Sequence, residues 1–188
     1  MSQKSTLPAN PESGASLGEI LLGIAALAGL FAIVVFFIVG LKHYNKVDRT
    51  FAAIYALKEE VKKVNRGSGT YEKGSLLPLL ITAAAVPDGM IIEPGDRSVS
   101  IPMGQPLDIN GLGTHFSVDI YSFTQEECLI FGEQFLRGRY FALGNPNDDF
   151  DFLKIAGQVF SDENPLTPEK LKEACHLRFS IDVNMAFR

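Results

Sequence analysis

The stretch GASLGEILLGIAALAGLFAIVVFFIVG, residues 14–40, decides how the rest of the chain is read. One carboxylate, Glu19, stands at its start, and Ile20 to Leu41 then carry no charge. As a helix those residues would rise roughly 33 Å, enough for a bilayer core. A cleaved secretory signal has a basic start, a shorter apolar core and a small-residue exit site. Here only Lys4 precedes the run as a base. The sequence therefore predicts a retained transmembrane part over 20–41.

No proline interrupts the chain from Ala15 to about Asn65, so one long helix is expected across 15–65. Its first half is apolar all round. In its second half Val47, Phe51, Ile54, Leu57, Val61 and Val64 recur every three or four residues, one apolar stripe. Asp48, Arg49, Lys58, Glu59, Glu60, Lys62 and Lys63 fall on the other faces, and NRGSG at 65–69 ends the helix.

Downstream, a short helix is expected near Leu76–Ala84, a turn at Pro87–Gly89, a strand in RSVSIPM and a turn at Asn110–Gly113. Phe116, Val118 and Ile120 alternate with Ser117 and Asp119, as in a half-buried strand. Thr124 and Glu127 have capping-box spacing, which starts a helix at Gln125 that carries Cys128. Thr167-Pro168-Glu169 starts another, ending near Ala174. The clearest strand closes the chain: Leu177, Phe179, Ile181, Val183, Met185 and Phe187 alternate with polar residues. The expected fold class is α+β, a long N-terminal helix with a membrane-embedded apolar half and an amphipathic outer half packed on a small antiparallel sheet.

With 188 residues, the chain has room for one ordinary domain beside the apolar segment. A net charge of −5 argues against general attraction to nucleic acid. Cys128 and Cys175 are the two cysteines, and His43, His115 and His176 are scattered, so no four-ligand metal site is expected. A disulfide is the better reading of the pair, with buried free thiols as the alternative. Catalytic signatures and phosphate loops are absent from the sequence, so neither enzyme activity nor a cofactor is expected. The acidic NPNDDFD at 145–151 lacks the glycine and terminal glutamate of a calcium loop and reads as a solvated loop. RGRYF at 137–141 reads as a helix end with favourable charge.

Cutting after Gly14 would make Ala15 the first residue and Glu19 the fifth. In this the segment resembles the processing site and N-terminal helix of type IV prepilins. The downstream order resembles the type IVb PilS-like pilins: a short helix, a Val86-Pro87-x-x-Met90 turn, a strand, Cys128 on a helix, and Cys175 shortly before a final strand. Ala15 stands where larger residues are common in that group, and INGLG stands about where a Trp-Gly-Gly element would follow the turn.

The resemblance implies a leader, 1–14, removed by prepilin peptidase, with Ala15 then N-methylated. It implies that Glu19 pairs with a neighbour's amino terminus during assembly, a register device in a low-dielectric bundle. It further implies a globular domain, 66–188, outside the cytoplasm and closed by a Cys128–Cys175 disulfide loop. The subunit would wait in the bacterial inner membrane, be handled by an assembly platform and ATPase machinery, and enter an extracellular homo-oligomeric helical filament serving adhesion, aggregation or conjugative mating contact. A minor pilin or type II secretion pseudopilin is one alternative, and a single-pass anchored binding protein is another. Lys42, His43, Lys46 and Arg49 would by the positive-inside bias hold the C-terminal part in the cytoplasm. The disulfide reading and the resemblance outweigh that bias.

Overall fold

The computed structural model describes residues 17–66, 70–93, 98–138, 149–176 and 180–188, with backbone alone for residues 19 and 36–44. The chain divides into two compact units, Met1–Lys42 and His43–Arg188.

Helix α1 runs from Leu17 to Val64. The stripe read from its outer half is its buried face: Val47, Phe51, Ile54, Leu57 and Val61 are all buried, and Val64 packs at the edge. Burial of five such side chains contributes about 1.5–3 kcal/mol each, which outweighs the modest propensities of the β-branched residues among them. Lys58 departs from expectation, being buried rather than solvated. Its ammonium lies 4.7 Å from the Tyr55 ring centre and 3.4 Å from the Glu59 carboxylate, so the stem is packed while the charge is matched.

Eight strands form one antiparallel sheet among the described residues. They are β1 (Tyr71–Ser75), β2 (Ile91–Ile92), β3 (Val99–Ser100), β4 (Pro106–Gly113), β5 (Phe116–Phe123), β6 (Phe150–Ile155), β7 (Gln158–Phe160) and β8 (Ile181–Phe187). The order is β2-β3-β4-β5-β8-β6-β7. The C-terminal strand β8 thus lies inside the sheet, between β5 and β6. β3 pairs with the start of β4 and β1 with its end. Ile181, Val183, Met185 and Phe187 are buried, as their alternation requires. Phe187 stacks on Phe116 at 5.3 Å, extending the core across the β5–β8 pair.

Three further helices lie among the described residues: α2 (Leu77–Thr82), α3 (Gln125–Leu136) and α4 (Pro168–His176). The Thr124–Glu127 capping box forms reciprocally at the start of α3, and Arg137 is its C-cap. Asn110–Gly113, expected as a turn, is instead the end of β4.

The expectations of a membrane-embedded helix half and of an inner-membrane precursor are corrected. Among the described residues, no helix is long and apolar enough to cross a membrane.

Candidate assembly site

In the first unit, the described side chains of α1 before residue 36 are exposed all round. Leu17 is 78% exposed, Phe31 71% and Val35 41%, with Ile20, Leu21, Leu22, Ile24, Leu27, Leu30, Ile33 and Val34 within that range. An apolar helix without a polar face is ordinarily buried. A Cβ added at Gly23 or Gly29 would meet nothing within 4 Å, so both glycines leave the helix backbone open to close approach. Glu19 lies within α1, its side chain outside the described residues. Gly14 and Ala15, the expected processing site, lie outside them too.

In the second unit, the sulfurs of Cys128 and Cys175 are bonded, with their Cα atoms 5.8 Å apart. Both residues are buried, and the bond clamps α3 to α4. The helices also meet one turn along, where Gly132 faces Leu171. A Cβ on Gly132 would lie 2.1 Å from Leu171 Cδ1, so any larger residue there would force the buried Leu171 side chain to move. α3 is held in turn to α1 by ring packing of Phe131 on Phe51, centroids 4.5 Å apart, and by Gln134 Nε2, which donates to Asp48 Oδ1 at 2.5 Å. The α3–α4 pair is thus fixed to the amphipathic half of α1 by packing and a hydrogen bond, and to itself by a covalent bond. Gly132 and Gln134 had no distinguishing signal in the sequence, since their roles depend on which helices face each other.

The described end of the acidic stretch is engaged in ion pairs. Asp149 pairs with Lys62, and this hydrogen bond holds its carboxyl below the usual carboxylate range. Asp151 pairs with Arg188 and lies 3.5 Å from His115 Nε2. Among the described residues no group of three His, Cys, Asp or Glu is placed to hold a metal. Met90 N–H donates to the Pro87 carbonyl at 3.3 Å, closing the Val-Pro turn read from the sequence.

The fold is pilin-like. The chain resembles the crystal structure of TcpA, a type IV pilin from Vibrio cholerae El Tor biotype, with a TM-score of 0.50. That likeness covers 78% of this chain and 99% of that one at 11% sequence identity. At that identity it is a likeness of fold alone. No protein-family model and no curated protein matches the sequence.

Proposed function

We propose that this chain is a non-catalytic structural subunit that assembles with copies of itself into a type IVb pilus-like filament. One observation carries the reading. The same helix whose outer half anchors a disulfide-clamped, pilin-like domain exposes apolar side chains on every side at residues 17–35. Eleven large apolar side chains there are exposed, and each fully buried one would contribute about 1.5–3 kcal/mol. Packing against equivalent helices supplies that burial, and the open Gly23 and Gly29 suit close backbone approach.

Removal of residues 1–14 by a prepilin peptidase accounts for the spacing between Gly14 and Glu19. The new amino group on Ala15 then matches the Glu19 carboxylate of a neighbour. An unpaired carboxylate inside an apolar bundle is costly, so the pair sets register as copies add. An assembly platform and its ATPase are the partners that such a subunit requires.

The test is the first residue and intact mass of the protein taken from the cells that make it. A chain beginning at Ala15 supports the reading. A chain retaining residues 1–14 within an assembled state removes the role given to Gly14 and Ala15. Glu19→Ala is expected to leave the cut intact and abolish filaments. Unchanged assembly in that variant would favour a chain that never uses the pair.

A further inference from the structure

The solvent face of the sheet carries a cleft. Register between β5 and β8 shifts between Ile120 and Phe123. Within this irregularity Ser122 takes a φ of 67°, and its N–H donates to Asp182 Oδ1 at 3.3 Å. The irregularity leaves two successive residues, Tyr121 and Ser122, exposed, where a regular strand would turn one of them inward. The β6–β7 turn comes up beside it, with Ala156 at φ 50° and its N–H donating to the Asp182 carbonyl at 3.0 Å. A cleft of about 300 Å³ results, lined by Asp119, Tyr121, Lys154, Ser180, Asp182 and Asn184.

Part of this lining is locked and part is unspent. Asp119 accepts from Asn110 Nδ2 at 2.9 Å, from Ser117 Oγ at 3.1 Å and from Asn184 Nδ2, which fixes its carboxylate plane. Among the described residues the Tyr121 hydroxyl, the Lys154 ammonium and the Ser180 hydroxyl have no hydrogen-bond partner. An aromatic face, a fixed carboxylate and amide, and free donors and acceptors therefore converge on one shallow space of single-ligand size.

A pyranose has the complementary surface. One side of the ring is a patch of C–H groups that stacks on an aromatic face. Its rim is a set of vicinal hydroxyls, each both donor and acceptor, spaced to meet planar carboxylate and amide groups. The two lining carboxylates against one ammonium leave the cleft net negative. The same field acts on Tyr121, whose hydroxyl pKa is raised by burial and by Asp119, Asp108 and Asp182. Acidic sugars are thereby disfavoured and neutral ones favoured.

We propose that this cleft binds a neutral hexose unit of a glycan, stacked on Tyr121 and hydrogen-bonded through Asp182, Asn184 and Lys154. The site does not depend on the filament reading, since a monomer would bind equally. The test is saturation-transfer NMR of the full chain with the methyl glycosides of glucose, galactose, mannose and N-acetylglucosamine, and with N-acetylneuraminic acid. Saturable binding of at least one neutral glycoside is expected, with Kd on the order of 1 mM. Tyr121→Ala should weaken it at least tenfold. Lys154→Ala, a change at an exposed side chain, should keep the fold and weaken it several-fold, and it decides the matter if the tyrosine variant unfolds. Three results would overturn the proposal: no saturable binding by any neutral glycoside, binding unchanged in the folded variants, or tighter binding of the acidic sugar.

Discussion

Replacing Gly132 by alanine tests the α3–α4 clamp most sharply. Alanine normally strengthens a helix interior relative to glycine, by about 1 kcal/mol. Here the new methyl would stand 2.1 Å from Leu171 Cδ1, 2.8 Å from Cδ2 and 3.0 Å from Cγ. Carbon atoms rest at about 3.5–4.0 Å, so the closest contact is roughly 1.4 Å short. Leu171 is buried and has little room to swing away. The helices cannot slide apart either, because Cys128 and Cys175 lie one turn from Gly132 and Leu171 and are bonded. Overpacking of this kind costs about 1–3 kcal/mol, and a clash reaching Cγ belongs at the upper end. The net expectation is a loss of about 2 kcal/mol after the propensity gain.

The cycle with Leu171→Ala separates the two effects. That change alone should cost about 2–5 kcal/mol. In its background Gly132→Ala has space and should stabilise by about 1 kcal/mol. The coupling between the sites is then about 3 kcal/mol. Urea unfolding of the full chain in mild detergent, followed by circular dichroism, reads all four variants. If Gly132→Ala stabilises the otherwise unaltered protein, the close approach of α3 and α4 is refuted.

Three further outcomes follow from the same geometry. Replacing Cys128 and Cys175 together by alanine opens a loop of 47 residues' separation, and should cost about 4 kcal/mol in the chain-entropy account; equal urea midpoints for the two proteins would contradict it. Gly111→Ala would drive a Cβ to 1.8 Å from the Glu72 carbonyl oxygen. Hydrogen exchange at the β1 amides should accelerate there while β5–β8 amides keep their protection. The Asp149 carboxyl is held low by Lys62, so its contribution is present above the unfolded-state value and lost as pH falls through the folded one. Asp149→Asn should lower stability near neutrality, where that contribution is fully present, and flatten the acid limb below about pH 4, where it is lost in the unaltered chain. An acid limb identical to that of the unaltered chain would exclude that linkage.

The elements legible in the sequence are those with a repeating signal. The Val47–Val64 stripe gave the buried face of α1, strict alternation gave β8, and Thr124 with Glu127 gave the start of α3. What was illegible depends on partners distant in sequence. Asn110–Gly113 carries turn composition, yet it is strand. Gly111 is there because the β1 backbone passes too close for a Cβ, a fact stored in Glu72 rather than in the local pattern. β1 and β6 gain their strand character from pairing with β4 and β8. Lys58 is the exception: its ring and carboxylate partners, Tyr55 and Glu59, are close in sequence, yet its burial carried no local signal. Of the expected site residues, the cysteines were readable as a pair by count alone. Glu19 was singled out by its position in the chain, and its side chain lies outside the described residues.

In the proposed filament the apolar residues 17–35 are buried by other copies of this chain. Electron microscopy of material sheared from cells that make the protein, with mass spectrometry of the same sample, measures it directly. The expected result is helical filaments in which this chain is the main component and the 17–35 segments pack along the axis. Recovery of the protein solely as monomer, or as a trace component of fibres built from another chain, would contradict it.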